Sequence, residues 1–336
     1  MSKIRVGFLG AGFIASRHLG NLLGFDDVAV VAVADPQLDR AREAAARAGG
    51  QAYGDWAELL DRERLDALYI CVPPFAHGAP ELAAAQLGLP FFVEKPIAAD
   101  LQTAETIGRE VSGRRLVTAV GYHWRYLDTT ERARELLGAN PARLALGYWL
   151  DVTPPPAWWV QDAQSGGQLV EQTTHLFDLA RFLMGEVTRL YAATGRFERP
   201  AHPQSDIANV STATLHFASG AVGSMSSTCL LHWTHRIGLQ LLCEGLAIEL
   251  TEFDMAVDRG HERVFHRAQG DAFVREDRDF IDAVQGQPSR IRVPYEEALH
   301  TQRLACAADR SAREGRVVEL PASEESREAA TRGRTR

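Results

Sequence analysis

The chain is poor in cysteine, and the few cysteines it has are dispersed. Its 336 residues include four, at positions 71, 229, 243 and 306, and no two of them have the C-x-x-C spacing of a metal site or redox pair. Three lie in apolar runs, which indicates reduced core residues and a reducing, cytoplasmic location. We therefore expect neither a disulfide framework nor a cysteine-based metal site.

Clustered positive charge and long apolar runs are also missing. The chain has 36 Lys and Arg against 44 Asp and Glu, a net charge of −8, and its arginines are scattered beside acids as on solvated helix faces. Binding nucleic acid normally needs clustered cations, so we do not expect that partner. No run approaches the ~20 apolar residues of a membrane span. The apolar N-terminus leads into a glycine turn, which favours a first strand over a signal peptide.

Residues 1–122 alternate short apolar runs with helical patterns. The run at Val28–Ala34 is typical of a parallel strand buried on both faces. Similar strand patterns occur at Ile4–Leu9, Ala67–Val72, Pro90–Val93 and Leu116–Val120. Repeated strand–helix–strand units predict a doubly wound parallel sheet, the α/β architecture of a nucleotide-binding domain.

Residues 123–320 follow a different pattern and predict a second, α+β domain. A helix is expected over Gly167–Met184, and strand-like stretches follow between residues 188 and 258. Their alternation and intervening turns favour a mostly antiparallel open sheet. Helices return at Ala272–Gln285 and Tyr295–Glu314. Residues 321–336 are charged and aperiodic, so we expect a disordered tail there.

A glycine turn marks the expected nucleotide site. Gly10 and Gly12 follow the first strand and open a helix, the context that a dinucleotide fingerprint requires. Gly10 would make the tight turn, and Gly12 would let the backbone approach a pyrophosphate. Phe13 and Ile14 begin the helix, whose N-terminus favours phosphate.

The end of the second predicted strand bears on the choice of nucleotide. Asp35 lies there, and a carboxylate at that place accepts bonds from both ribose hydroxyls and repels a 2′-phosphate, which favours NAD. Arg40, one turn into the next helix, would face the adenine or soften that repulsion, so NADP stays open. The alternative is a plain glycine turn with Asp35 as a helix cap.

Motifs along nearly the whole chain resemble the glucose–fructose oxidoreductase / inositol dehydrogenase / MocA (Gfo/Idh/MocA) family. They are GFLGAGFIA at 7–15, Asp35-Pro36, CVPPFAH at 71–77, FFVEKP at 91–96, GYHWRY at 121–126, GGQLVEQTTHLFDLARFLMG at 166–185, DFIDAV at 279–284 and GRVVEL at 315–320. The resemblance implies a Rossmann domain followed by a domain whose open sheet serves oligomerisation, in a homodimer or homotetramer. It also implies hydride transfer between a nicotinamide and a secondary alcohol or ketone of a sugar, polyol or cyclitol.

Lys95 is the first expected catalytic residue. In the family the lysine of Glu94-Lys95-Pro96 contacts cofactor and substrate, and a buried ammonium there would donate a hydrogen bond to the substrate oxygen. Glu94 is expected beside the cofactor. The alternative, an ion pair between Lys95 and Glu94, is less favoured because consecutive strand residues point to opposite faces.

The second catalytic pair is expected on the helix predicted over Gly167–Met184. Glu171, His175 and Asp178 are spaced i, i+4, i+7 and would share one face of it. His175 is the natural general base, and Asp178 is expected to be structural. The family usually has Asp at position 171, so Glu171 would contact substrate differently or only orient His175. The alternative is an ordinary core or surface histidine.

Loops that follow the strands supply the remaining candidates. Cys71, Pro73 and His77 are expected to border the nicotinamide, although His77 also fits a helix start. After the last Rossmann strand, His123 is expected at the cofactor, and Tyr122 and Arg125 at the substrate. Trp158 and Trp159 would stack on a sugar face or pack as an apolar lid.

A metal site and two other functions complete the alternatives. His232, His235, His261 and His266 invite a metal assignment, but an i, i+3 pair on a strand points to opposite faces and no acid completes the set, so we expect none. An NAD-dependent glycosidase and a non-catalytic nucleotide sensor on the same fold both remain compatible with the motifs.

Overall fold

The computed structural model describes residues 3–321, so the predicted tail lies almost wholly outside the described residues. The chain divides into two compact units. The first comprises residues up to Tyr126 together with Asp271–Leu299, and the second comprises Leu127–Gly270 together with residues from His300 onward.

Within the described residues the chain forms fifteen strands and eleven α-helices, besides three short 3₁₀ helices. The strands are β1 Ile4–Leu9, β2 Val28–Ala34, β3 Gln51–Tyr53, β4 Ala67–Ile70, β5 Phe91–Val93, β6 Thr118–Val120, β7 Leu144–Val152, β8 Val187–Gly195, β9 Val210–Phe217, β10 Val222–Leu231, β11 Arg236–Cys243, β12 Leu246–Leu250, β13 Asp254–Asp258, β14 Arg263–Arg267 and β15 Val318–Glu319. The helices are α1 Phe13–Leu23, α2 Leu38–Ala48, α3 Trp56–Arg62, α4 Ala79–Gln86, α5 Leu101–Arg114, α6 Asp128–Ala139, α7 Asp162–Ser165, α8 Gly167–Glu171, α9 Thr174–Met184, α10 Ala272–Val284 and α11 Tyr295–Glu314.

The first unit contains a six-stranded sheet in the order β3-β2-β1-β4-β5-β6, with every pair parallel. The apolar strands are buried on both faces, and two core clusters lie against the sheet. This confirms the doubly wound parallel sheet that the alternating patterns predict.

The returning segment 271–299 belongs to this first unit, whereas the sequence pattern placed it in the second domain. Phe280 and Ile281 of α10 join the core cluster that contains Phe8 and Tyr69. Helical periodicity identifies the apolar face of α10 but not which sheet that face covers, and so a continuous domain was expected.

The second unit contains a nine-stranded sheet in the order β14-β13-β12-β11-β7-β10-β9-β8-β15. All pairs are antiparallel except β7 with β10, which confirms the mostly antiparallel expectation. Helices α8 and α9 pack on its central strands. Gly147 of β7 allows this close packing, because a side chain there would overlap Met225 and approach Leu176 of α9.

The single helix predicted over Gly167–Met184 is wrong: it is two helices, α8 and α9, separated at Gln172 and Thr173. The backbone N–H of His175 donates to the carbonyl of Gln172, three residues earlier, at 3.2 Å, so the regular α-helical hydrogen bonding from Glu171 is interrupted. The Thr173 hydroxyl, 3.1 Å from the Gln168 carbonyl and 2.7 Å from the Ser227 hydroxyl, anchors the break to β10. The i, i+4, i+7 spacing therefore does not describe one regular helix face.

No helix among residues 3–321 combines the length and the apolar character that crossing a lipid bilayer requires.

Candidate active site

The glycine turn after β1 is shaped by its contact with the end of β4. Gly10 has φ +92°, and a Cβ there would overlap the carbonyl oxygen of Cys71, so only glycine fits. Gly12 precedes α1, and a Cβ there would meet no atom within 4 Å. Phe13 is 92% exposed and Ile14 is half-buried. The helix N-terminus therefore opens onto free space and fits a pyrophosphate.

Asp35 is held beside this turn by two backbone groups. Its Oδ2 accepts from the Ala11 N–H at 2.9 Å, and its Oδ1 accepts from the Gln37 N–H at 2.8 Å. Gln37, not Asp35, occupies the N-cap of α2, so Asp35 is not a simple helix cap. Each carboxylate oxygen keeps a second lone pair for a ribose hydroxyl. Arg40 is exposed and, with Arg47, lines a cavity of about 210 Å³ next to the turn.

The loop after β4 is fixed by the start of α4. His77 is buried, with Nδ1 2.6 Å from Glu81 Oε1, while Glu81 Oε2 accepts from the Gly78 N–H at 2.6 Å. Burial raises the pKa of the Cys71 thiol well above its usual value, so the thiol stays neutral. Pro73 is half-buried at the beginning of this loop. These contacts favour His77 as part of the helix start.

Glu94 turns into the first unit rather than toward solvent. Its Oε1 lies 3.0 Å from His18 Nε2, and its Oε2 accepts from the Lys95 backbone N–H at 3.0 Å. Gly121 lies alongside, where any Cβ would overlap this carboxylate. Lys95 itself is half-buried and is one of only two lysines in the chain, the other being Lys3.

The three candidates after β6 are buried. Tyr122 joins the apolar core of the first unit. The ring of His123 stacks on Phe273, with centroids 4.1 Å apart. Arg125 is 3% exposed, and its Nη2 donates to Glu297 at 2.9 Å. Packing therefore accounts for the burial of Tyr122 and His123 in the first unit, and the ion pair with Glu297 accounts for that of Arg125.

In the second unit, Glu171 is held by a tryptophan. The indole N–H of Trp159 donates to Glu171 Oε2 at 2.5 Å. Trp159 is 1% exposed and packs with Ile207 and Cys229, and Trp158 is half-buried against the same cluster. This arrangement favours Trp159 as a support for the carboxylate over a stacking surface for a sugar ring.

His175 is held by a second tryptophan. The imidazole stacks on Trp149 of β7, with centroids 5.4 Å apart and planes 13° apart, and it is 6% exposed. One turn further along α9, Asp178 accepts from the Thr301 hydroxyl at 2.9 Å. Thr301 in turn accepts from Arg181 Nη1 at 2.7 Å, so Asp178 belongs to a buried structural network.

Two family models match this chain. One, described as an oxidoreductase family with an NAD-binding Rossmann fold, matches residues 4–122, and one described as a GFO/IDH/MocA C-terminal domain matches residues 142–249.

The chain belongs to the Gfo/Idh/MocA family of oxidoreductases. The family resemblance and the NAD-binding Rossmann domain predicted from the glycine turn and Asp35 are confirmed.

Individual relatives of this Gfo/Idh/MocA protein match it from end to end. It is 27% identical to a myo-inositol 2-dehydrogenase from Thermotoga maritima, over 94% of this chain and 98% of that one. It is 25% identical to a scyllo-inositol 2-dehydrogenase (NAD⁺) from Bacillus subtilis, over 95% and 96%. Its fold matches that of a levoglucosan dehydrogenase in complex with NADH with a TM-score of 0.85, at 22% identity, over 95% and 100%.

Two residues of this Gfo/Idh/MocA chain that contact the candidates, Trp149 and His18, are not predicted from the sequence, nor is the hydrogen bond that the candidate Trp159 donates to Glu171. Trp149 leaves no signal, because an aromatic residue in a strand is typical of the core. His18 did leave one, because it lies in the apolar stripe of α1 with Ala15, Leu19 and Leu22. A titratable residue in such a stripe needs a buried partner.

Proposed function

We propose that this protein oxidises a secondary alcohol of a polyol, cyclitol or sugar with NAD, or reduces the corresponding ketone. The observation that carries the proposal is the pairing of an NAD-binding domain, which holds Lys95 after β5, with a segment in which Glu171 and His175 are each fixed by a tryptophan. Relatives named for inositol oxidation support the substrate class.

Each of the three residues takes one role in this proposal. Bound NAD supplies the hydride acceptor. The Lys95 ammonium donates a hydrogen bond to the substrate oxygen and stabilises the charge that develops there. His175 removes the hydroxyl proton as general base. Glu171, which already accepts a hydrogen bond from Trp159, accepts another from a neighbouring hydroxyl of the substrate with its remaining lone pairs.

For the cofactor, we propose that Gly10, Gly12, Phe13 and Ile14 present the backbone to the pyrophosphate and that Asp35 accepts the ribose hydroxyls. Replacing Asp35 by Asn removes the charge that repels a 2′-phosphate. We expect the Kd for NAD to rise about tenfold or more, since a hydrogen bond to a charged group contributes about 1.5–3 kcal/mol, while the Kd for NADP falls. Fluorescence titration with both nucleotides checks this. An unchanged ratio of the two constants would remove Asp35 from the cofactor site.

We further propose a homodimer or homotetramer in the cytoplasm. Strands β9 and β10 bury alternate side chains such as Ala213 and Met225, whereas Thr212 and Thr214 on the opposite side are exposed. A second copy would cover that face. The four cysteines are free thiols, which fits a reducing compartment. Light scattering of the purified protein measures the assembly.

The catalytic proposal is tested by replacing Lys95 with Met. Across a panel of inositols and sugars, we expect the wild type to produce NADH with at least one compound and the variant to lose about 100-fold or more in kcat while it still binds NAD. Lys3→Met is the matched control, because it removes the other lysine, which is exposed, and it should keep wild-type turnover.

Two outcomes would contradict the proposal. Full turnover by Lys95→Met would remove the role of this lysine, and release of a sugar without net NADH would point to glycoside cleavage. His175→Asn combined with Lys95→Met tests whether the two residues serve one reaction, since residues that act as a unit have strongly non-additive effects on kcat.

A further inference from the structure

His18 lies at the centre of a buried cluster in the first unit. It has no exposed surface, and its two ring nitrogens each face a carboxylate: Nδ1 lies 2.7 Å from Asp277 Oδ1, and Nε2 lies 3.0 Å from Glu94 Oε1. The rings of Phe92, Tyr69 and Phe273 stand around it, with centroids 4.8, 5.6 and 5.8 Å from its own. An aromatic wall of this kind excludes water and strengthens the charge interactions inside it.

Each oxygen of both carboxylates accepts a hydrogen bond. The second oxygen of Asp277 accepts from the Asn21 side chain at 2.8 Å, and the second oxygen of Glu94 accepts from the Lys95 backbone N–H. A ring nitrogen that faces a carboxylate oxygen is best placed to donate to it, and a histidine that donates from both nitrogens is an imidazolium. Burial alone would lower the pKa of His18, but Asp277 and Glu94 outweigh it and hold that pKa well above its usual value.

Glu276 is the fourth titratable residue of this cluster, beside His18, Asp277 and Glu94. It is fully buried, and neither of its carboxylate oxygens has a hydrogen-bond partner among the described residues. Its carboxylate, the Glu94 carboxylate and the His18 ring each have an atom within 4.8 Å of the other two. Burial raises the pKa of Glu276 well above its usual value, with Glu94, Asp277 and Asp271 acting in the same direction and His18 opposing. Burial and the neighbouring acids thus favour the neutral form of Glu276.

The series of hydrogen bonds from Asp277 through His18 and Glu94 ends at the backbone of Lys95. Glu94 has one oxygen on His18 and the other on the Lys95 backbone, and Gly121 leaves just enough room for this carboxylate. We propose that His18 is a positioning residue for Lys95: its imidazolium, held by Asp277, anchors the Glu94 carboxylate, which in turn fixes the backbone from which the lysine side chain projects. The inference rests on the role proposed above for Lys95.

A purely structural role would be served as well by apolar side chains of similar volume, because burying charges costs solvation energy that their attraction repays only with good geometry. Charged groups differ from apolar ones because they form directional hydrogen bonds, which fix the position of a side chain. The hydrogen bonds of Glu94 set the carboxylate at one place, and small displacements of a reacting group are costly in rate.

The test replaces His18 with Gln, which keeps most of the side-chain volume but loses the charge and one donor. We expect kcat for polyol oxidation to fall about 100-fold, as for a reacting group displaced by about 1 Å, with little change in the Kd for NAD. Asn21→Ala is the matched control, because it removes a partner of Asp277 and leaves the contact between His18 and Glu94 intact. Its kcat should stay near that of the wild type.

A second measurement reports on Lys95 without any turnover. The chain has only Lys3 and Lys95, so reductive ¹³C-methylation gives NMR signals from two side chains and the terminal amine, and Lys95→Met assigns them. We expect the Lys95 signal to move in His18→Gln and to stay in place in Asn21→Ala, with the Lys3 signal unchanged in both. Should His18→Gln fail to fold by circular dichroism, Asp277→Asn, which keeps the volume of its side chain, is measured in the same way.

The two measurements separate the inference from the proposed function. A moved Lys95 signal in a protein that oxidises no polyol supports the inference and defeats the function. Normal kcat in His18→Gln, or an unmoved Lys95 signal, overturns the inference and leaves the function standing. Elemental analysis that finds a stoichiometric metal ion bound to the purified protein, and lost in His18→Gln, also overturns it, because a cation and not the imidazolium would then anchor Glu94.

Discussion

The surroundings of Lys95 and of His175 use opposite chemistry to hold a candidate catalytic residue. Lys95 follows a carboxylate anchored by a buried imidazolium and a second acid. Glu171 and His175 instead meet two tryptophans, one donating a hydrogen bond and the other stacking. Charge networks respond to pH and to the loss of a charge at constant volume, whereas the two tryptophan supports respond to the loss of the indole N–H or of the aromatic ring. The two regions should therefore fail under different substitutions.

Of the substitutions at the two tryptophans, Trp159→Phe should have the larger effect, because it keeps the packing and removes the N–H that binds Glu171. We expect kcat to fall about ten- to a hundredfold, because a hydrogen bond to a charged group is worth about 1.5–3 kcal/mol. Steady-state assays give the number. Trp233→Phe, at a tryptophan that is 59% exposed, is the control. Equal kcat for both variants would mean that Trp159 only packs.

A smaller effect is expected for Trp149→Leu, which removes the stack on His175. An aromatic pair is worth about 0.5–1.5 kcal/mol beyond its buried area, so kcat should fall about three- to tenfold with little change in the Kd for NAD. Trp149→Phe, which keeps an aromatic face, should recover most of the loss. If phenylalanine and leucine behave alike, shape and not stacking holds the imidazole.

The last prediction concerns the pH dependence of folding stability, which arises from His18 and Glu276 in the first unit and is the smallest of the effects at neutral pH. The pKa values of His18 and Glu276 are both raised by folding, so the folded state binds more protons and stability falls as pH rises. The His18 contribution is complete below its unfolded pKa of about 6.5 and is lost as pH rises through the folded value. For Glu276 the loss begins above the ordinary glutamate pKa and continues to its raised value.

Thermal unfolding from pH 6 to 8, below the ordinary pKa of Cys71 and Tyr69, measures this. Each group contributes a slope of at most about 1.4 kcal/mol per pH unit. Glu276→Gln, which imitates the neutral acid, should flatten the profile and raise the midpoint at pH 8. A wild-type midpoint that does not change over this range would show that the cluster releases no protons on unfolding.

The first unit was the more predictable part of the fold. Strands buried on both faces have continuous apolar runs, and so Ile4–Leu9 and Val28–Ala34 have the bounds expected, and α1 begins at Phe13 as expected. The tight turn at Gly10 is equally predictable, because it demands a glycine at a particular place. The contact of Asp35 with a ribose stays a prediction. Short elements such as β3 and β14 have too few residues for a period to be recognised.

What sequence could not supply are contacts between distant residues and breaks in a regular pattern. His18 and Asp277 are 259 positions apart, and no local pattern in either helix predicts that these two residues form a hydrogen bond. The spacing of Glu171, His175 and Asp178 continues smoothly across Gln172 and Thr173, so the break between α8 and α9 is invisible to a periodicity argument. At the break, the Thr173 hydroxyl is hydrogen-bonded to the Ser227 hydroxyl of the distant strand β10.

The first unit is not continuous in sequence, and this matters while the chain is being made. Its last sheet strand, β6, ends at Val120, but α10, which covers one face of that sheet with Phe280 and Ile281, does not begin until Ala272. A ribosome therefore synthesises all six strands before α10, so for as long as the intervening sheet takes to translate the core cluster lacks Phe280 and Ile281, and His18 lacks Asp277 although Glu94 is already present. The nascent chain in that interval is the form most in need of a chaperone.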